Sequence, residues 1–585
     1  MKRLLLGSIV LCGLGAASIA HAADRALPAA PVAAPPAWSW QGFYFGLHAG
    51  TSIANTSFTD PFGTSMFGDR VASPGFLGGG QVGYNWVVAP GWIVGVEGDG
   101  SLLSSEGTNT CLQFSPNFVG STCKVDPRAL GTLTGRAGFT IGPAGRTLLY
   151  GKAGLAVVDD AVAVQGNNNF GLTPSATNKN YAQWGWTLGA GVEQALTPAW
   201  SLKLEYDYMQ FANHGVATPA SNVVDPNTGD FDDIGPSAST AQQAIHAFKI
   251  GMNYHWGADP ATGWSVPAVA PAYPVKALYK APPPVWFAGW EGEIGGRYWV
   301  SSGKFQWDNF SSPDVRISRL TYDKLNGQSG EVFGRVDTPF NVFVKGFVGS
   351  GSITSGRMND EDWGLHEPGD PIYTGYTNTL SDPVKGPISY FTGDLGYDLQ
   401  RGPGYKAGPF VGYNYFKETA NAFNCQQMAN AASGICAPAV APGTLTITET
   451  ARWQSLRVGY AAETMLVDRV KISGDVAYLP YVAFEGRDDH WLRATPTNFL
   501  QRSQAGQGVQ TEVILSYLVT PNFSLGIGGR YWAMWTAGGS FVCNGCTGIS
   551  VTLPPVPSKN NTERFGMFFQ GSYLFDTSGV AAAGK

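Results

Sequence analysis

The sequence predicts an all-β protein made of two tandem transmembrane antiparallel β-barrels, of about eight and about ten strands. Three observations lead there. Charged residues are 14% of the 585-residue chain, below the roughly 25% of an ordinary soluble domain, while Gly (77 residues) and aromatics (13%) are abundant. Mean hydropathy is -0.06, and no internal stretch reaches the ~18 apolar residues that a membrane-spanning helix needs. Apolar residues instead take every second place, the period that turns one strand face to lipid and the other to a lumen. The aromatic and β-branched content excludes a disordered chain. A net charge of -6 without a basic tract excludes a nucleic-acid partner.

Residues 1–22 read as a secretory signal peptide. Lys2 and Arg3 form the charged start, Leu4 to Ile19 the apolar core, and Ala20-His21-Ala22 the small-residue cleavage site. Gly7, Gly13 and Gly15 break the apolar run, which argues against a membrane anchor, and Leu11-Cys12 is a poor lipoprotein site. The chain is therefore expected in the cell outer membrane, after export and cleavage. An Ala/Pro-rich linker, residues 23–38, precedes the first barrel.

The first barrel is expected over residues 39–256. In Phe248-Lys-Ile-Gly-Met-Asn-Tyr-His-Trp256 the apolar residues alternate with Lys, Gly, Asn and His. Similar stretches run from Phe43 to Gly50, Gly79 to Val88, Trp92 to Asp99, Leu133 to Phe139, Leu148 to Ala156, Trp184 to Glu193 and Leu202 to Tyr208. The lumenal set includes Glu97, Arg136, Lys152, Glu193, Lys203, Glu205 and Lys249. Eight strands leave room only for side chains, so these charges should pair and plug the interior.

Residues 257–286, with Pro260, Pro267, Pro271, Pro274, Pro282, Pro283 and Pro284, read as a semi-extended periplasmic linker. The second barrel is expected over 287–576, leaving a tail at 577–585. Ile294-Gly-Gly-Arg-Tyr-Trp299 recurs as Ile527-Gly-Gly-Arg-Tyr-Trp532, and the last strand sets Phe565, Met567, Phe569, Tyr573 and Phe575 on one face. A single eighteen-stranded barrel is the alternative, opposed by the prolines and by the closing character of Trp256.

Beyond Cys12, the cysteines form three local pairs, Cys111/Cys123, Cys425/Cys436 and Cys543/Cys546, in polar segments between strands. In an exported protein such pairs suggest loop disulfides. Metal binding at Cys543-Asn-Gly-Cys546 is the alternative for the third.

Two clusters could carry chemistry: Met358-Asn-Asp360-Glu-Asp362-Trp363 and Gly486-Arg-Asp488-Asp-His490-Trp491. Residues two apart in a strand point the same way. Counting back from Asp360 gives Met358, Gly356, Thr354, Ser352 and Ser350, a polar and therefore lumenal face, with Ile353 and Phe347 toward lipid. In the second cluster Asp475 and Lys471 fall on the lipid side of a straight count, which calls for a bulge. An Asp beside a His fixes the imidazole tautomer and makes a general base for water. Two close aspartates cannot both ionise easily and share a proton. Asp-x-Asp also serves as a solvated turn or calcium ligand set.

From Trp290 to Phe575 the chain resembles the omptin family of outer-membrane proteases. Ser318-Arg-Leu-Thr-Tyr-Asp-Lys-Leu325 is similar to that family's second strand, Met358-x-Asp360-x-Asp362-Trp363 to its aspartate pair, and Asp488-x-His490 to its Asp-His dyad. The resemblance implies that Asp488 orients His490, His490 activates water, and Asp360 with Asp362 binds that water or the oxyanion proton. It implies a polypeptide substrate, no cofactor, and a possible requirement for lipopolysaccharide besides outer-membrane lipid. Gly486 and Arg487 depart from the acidic pattern of omptins that cut between basic residues. The first barrel resembles small porin-like eight-stranded surface proteins through Trp40-x-Gly42-Phe-Tyr-Phe-Gly46, Gly135-Arg-Ala-Gly-Phe139, Gly185-x-x-Leu-Gly-Ala-Gly-Val-Glu193 and Leu204-Glu-Tyr-Asp-Tyr208. That family is structural or adhesive, so a non-catalytic surface barrel or a porin are the rival functions. The sequence leaves oligomeric state open.

Overall fold

The computed structural model describes residues 38–60, 68–115, 118–142, 145–167, 176–224, 231–234, 236–256, 290–312, 315–363, 376–402, 404–429, 436, 440–493, 497–545 and 556–576. The leader, the proline-rich linker and the tail lie outside the described residues, as does all of the first linker but Trp38.

Eight long antiparallel strands form the first ring: β1 (Gly42–Phe58), β2 (Arg70–Ala89), β3 (Trp92–Ser105), β4 (Phe118–Ile141), β5 (Thr147–Gly166), β6 (Ala176–Ala195), β7 (Trp200–Phe211) and β8 (Ser237–Trp256). β8 pairs with β1 in register from Phe43↔Trp256 to Phe58↔Ala241, which closes the barrel. The second ring has ten: β9 (Glu291–Ser312), β10 (Val315–Asp337), β11 (Val342–Trp363), β12 (Val384–Tyr397), β13 (Tyr405–Phe423), β14 (Leu445–Val467), β15 (Val470–His490), β16 (Thr497–Thr520), β17 (Phe523–Thr536) and β18 (Val556–Asp576). β18 pairs with β9, and the remaining pairings complete the circle. Each ring closes on itself, so the chain is not a single eighteen-stranded barrel. Closure leaves neither sheet with an unpaired edge in lipid.

Period-two patterning sorts the side chains as expected. Phe43, Leu47, Val82, Leu133 and Leu188 face outward on the first barrel, and Val332, Val348, Phe565, Met567 and Phe569 on the second. Inside the first barrel Lys152 meets Glu205 at 2.8 Å, Lys203 meets Glu97 at 3.1 Å, Lys249 meets Asp99 and Asp207 at 2.9 Å, and Arg136 meets Glu193 at 3.1 Å. The lumenal charges read from the sequence therefore plug this barrel as a buried, mutually neutralising network.

In the second barrel the repeated Gly-Gly-Arg-Tyr-Trp segments lie on β9 and β17, on either side of β18. Their arginines share two acids. Arg297 reaches Glu331 and Glu512 at 3.0 Å each, and Arg530 reaches them at 2.7 and 2.5 Å. Lys345, Asp394, Arg457, Asp475, Lys471 and Glu463 extend this network around a cavity of about 90 Å³. Above it sits an apolar layer that includes Trp299, Trp532, Phe416, Phe305, Tyr322, Trp453 and Phe484.

Two register irregularities matter for the site. In β15 the pairing slips between Leu479 and Val482 and again before Phe484, around Pro480, which has no N–H for the ladder. Asp475 and Lys471 below the slip, and Asp488 above it, thereby all turn inward, so the bulge called for by the sequence is present. In β11 the straight count fails. Ile353 is buried in the core and Phe347 packs against it, while Val344 and Val348 face lipid. A slip against β10 between Asp323 and Gly327, with Lys324 at φ 51°, changes the phase before the aspartates. Asp360 then stands opposite Leu320, itself part of the apolar core, and both point inward.

The disulfides Cys111–Cys123 and Cys425–Cys436 are formed. Cys543 is also disulfide-bonded, which removes it as a thiolate ligand; Cys546 lies outside the described residues.

Candidate active site

Outward positions on β10 are apolar at Val336 and Val332 and become polar at Gln328, Asn326 and Lys324. On β11 the last outward apolar residue is Val348, followed by Ser350 and Thr354. The aspartates lie a dozen residues past Val348, about 40 Å along the strand at ~3.3 Å per residue. They stand clear of the lipid band, at the rim opposite the short turns.

β11 and β15 are four strands apart one way round the ring and six the other, so they face each other across the mouth. On β15 the Asp488 carboxylate accepts a bond from His490 Nε2 at 2.7 Å. Asp488 is fully buried and His490 retains a little exposure. The imidazole edge packs against Phe499, with ring centroids 5.1 Å apart. Asp488 Oδ2 thus orients the ring through Nε2 and leaves Nδ1 for a reacting water.

On β11, burial pushes the Asp360 carboxyl well above the ordinary range, and the charges of Asp362 and then Asp488 push it further. Asp362 and Asp488 thus both act on Asp360, one from its own strand and one from across the mouth. One oxygen of Asp360 and one of Asp488 are buried without a hydrogen-bond partner among the described residues.

Two groups at this place carried no separate signal in the sequence. Tyr322, on β10, is fully buried, and its hydroxyl has no partner among the described residues. Burial raises its pKa, followed by the charges of Asp488, Glu449 and Asp360. Glu449 stands opposite Asp488 in the β14–β15 ladder, accepts a bond from Gln501 at 2.9 Å, and is pushed up by burial and by Asp488. Tyr322 lies within the quoted Ser318–Leu325 segment; Glu449 becomes visible only through strand register. At Gly486, a side-chain carbon would meet Gln501 Oε1 and the Phe484 ring at 2.8 Å, so the space is already filled. Arg487 points outward to Asp489 at 2.9 Å.

Among the described residues, Glu97, Asp99 and Glu205 lie close enough to share a metal ion, deep in the first barrel. The ammonium groups of Lys152, Lys203 and Lys249 already neutralise them.

The outer membrane protein beta-barrel domain family matches residues 22–255. A 31 kDa outer-membrane immunogenic protein of Brucella melitensis is 31% identical over 264 residues, covering 42% of this chain and 98% of that protein. The chain belongs to the outer-membrane β-barrel family. A 22 kDa outer membrane protein of Rhizobium leguminosarum is 34% identical over 179 residues, 30% of this chain and 66% of its own length. Among solved structures, the outer membrane protease OmpT of Escherichia coli covers 49% of this chain and 97% of its own, at 14% identity and a TM-score of 0.41. Membership places the protein in the outer membrane, in contact with its lipids. The family match ends at residue 255, before the second ring begins at Glu291.

Proposed function

We propose that the second barrel is a surface endopeptidase in which His490 activates water. Asp488 holds the imidazole through Nε2–H; Nδ1 takes a proton from water as the oxygen attacks a peptide carbonyl. Protonated Asp360, beside Asp362, donates to the developing oxyanion, and the imidazolium returns its proton to the leaving amine. The observation that carries this reading is the 2.7 Å Asp488–His490 bond facing an aspartate whose ionisation Asp488 itself opposes. An isolated surface Asp-His pair would not alter a carboxyl on the opposite wall. Lipopolysaccharide is the lipid partner that this reading adds, as an activator.

The test is incubation of the folded protein, reconstituted with lipopolysaccharide, with a peptide library. His490→Ala should abolish every cleavage while heat-modifiable migration of the barrel persists. A second reading, a non-catalytic surface barrel that binds a partner, is favoured by the names of the first barrel's relatives as immunogenic outer-membrane proteins. Absence of cleavage at any site by the wild-type protein would establish that reading instead.

A further inference from the structure

The strand bearing the aspartate pair is engaged on both faces. Asp360 points into the mouth, whereas Glu361 points outward and is only 1% exposed. Asp308, Arg319 and Glu361 form one cross-strand row over β9, β10 and β11. Arg319 grips Asp308 with two bonds of 2.6 and 2.9 Å, and Arg316 adds a third at 3.3 Å. Charged groups on the outer wall above the lipid band would ordinarily sit in water. Here Arg319, Asp308 and Glu361 are buried, and part of what covers this wall is the first barrel.

Arg316 Nη1 donates to Thr122 Oγ1 at 2.5 Å and to Asn167 Oδ1 at 3.3 Å. Thr122 and Asn167 are themselves bonded at 2.9 Å. Gln306 Nε2 reaches the Thr108 carbonyl at 3.3 Å. Thr108 and Thr122 lie on the two arms of one hairpin, Gly107–Ser115 with the start of β4, tied by Cys111–Cys123. Weaker links continue along the same edge, Lys559 to Glu106 at 3.8 Å and Ser104 to Gln507 at 3.3 Å. At the other membrane face Tyr405 Oη donates to the Leu196 carbonyl at 3.0 Å, so the barrels touch at both ends.

We propose that this disulfide-tied hairpin of the first barrel is a positioning element for the aspartate pair of the second. Glu361 sits between Asp360 and Asp362 on one rigid strand, so whatever fixes its row fixes both. A misplacement of about 1 Å in reacting groups costs up to ~10²-fold in rate, and the buried Arg316–Asp308–Arg319 ion pairs, next in register to Glu361, hold their geometry only while Asp308 and both arginines stay paired. The consequence for catalysis rests on the proteolytic reading above; the mechanical contact does not.

The test uses the full chain carrying Thr122→Val with Asn167→Ala. Both changes lie in the first barrel and leave every residue of the second intact. Two readouts are taken: hydrogen exchange of the segment 357–363, and kcat and KM on a peptide that the wild type cleaves. Exchange should rise about tenfold and kcat fall about tenfold with KM within about twofold. Thr122→Ser, which keeps the hydroxyl acceptor, should restore both when paired with native Asn167. Cys111→Ser with Cys123→Ser is the second disruption, and should act in the same direction. Unchanged exchange in both disrupted proteins overturns the proposal, as does faster exchange with unchanged kcat. A wild type that cleaves nothing refutes the proteolytic reading and leaves the exchange measurement to decide the contact.

Discussion

Asp488→Asn is the substitution that strikes the proposed mechanism with the least structural change. The side chain is fully buried, and its carboxylate bonds His490 Nε2 at 2.7 Å. An amide of the same shape can turn its NH₂ toward the ring, which then carries its proton on Nδ1 and offers water no lone pair. The negative charge that steadies an imidazolium is lost in the same step. Together these amount to about 4–5.5 kcal/mol of transition-state stabilisation, a drop of about 10³–10⁴ in kcat. The same change removes one of the charges holding Asp360 protonated, so Asp360 becomes more acidic. The assay is peptide cleavage by refolded protein with lipopolysaccharide, the product quantified by mass spectrometry and folding checked by heat-modifiable migration. An Asp488→Asn protein working within about tenfold of wild type would refute the assignment of His490 as an Asp-oriented base.

Other expectations follow from the same geometry. Because burial, Asp362 and Asp488 raise Asp360, its proton is retained at pH values where ordinary carboxylates have lost theirs, and activity should fall as pH rises through that raised value. Asp360→Asn keeps a donor that cannot ionise, so its residual kcat/KM should lack this basic limb; an unchanged limb would exclude Asp360 as the acid. Burial lifts Glu361 from 4.5 to about 7, so the native state keeps a proton that the unfolded chain releases; stability should decline by about 3 kcal/mol as pH rises through that window, and no further above it. Urea unfolding at the two ends of the window should show this slope in the wild type and none in Glu361→Gln. Lys152→Met leaves Glu97, Asp99 and Glu205 short of a cation they meet at 3.3, 3.4 and 2.8 Å, and should cost about 3–5 kcal/mol in the same assay. Planar-bilayer recordings should show little or no conductance through a lumen filled this way.

Much of the architecture was legible because lipid imposes a period of two that the chain displays openly. The exposed row Phe565, Met567, Phe569, Tyr573, Phe575 on β18 and the buried charges of the first barrel were both read from alternation alone. Alternation failed where a single residue changed phase. In β15 the irregularity was inferable, since Asp475 and Lys471 could not face lipid beside Asp488. In β11 nothing charged marks the slip, so a straight count turns Ile353 and Phe347 to lipid, whereas both pack inward and the phase changes before Asp360. Tyr322 and Glu449 could not be read at all, because their role depends on which strands are neighbours and in what register.

The distribution of charge along the second barrel separates the rim from the interior beneath it. Below the aromatic layer, acids and bases are matched: Glu331 and Glu512 with Arg297 and Arg530, Asp394 and Asp475 with Arg457 and Lys345. That pattern satisfies buried charge and needs no further function. Above the layer Asp360, Asp488 and Glu449 gather around Tyr322, Asp362 also acts on Asp360, and the charge of Arg493 ranks behind both aspartates in its influence there. Carboxyl groups crowded in this way cannot all ionise, so the rim stores a proton beside an oriented imidazole. A purely structural rim would gain stability from replacing Asp360 by an uncharged side chain and lose nothing. A hydrolytic one gains that stability and loses the donor, so stability and activity must move in opposite directions in Asp360→Ala.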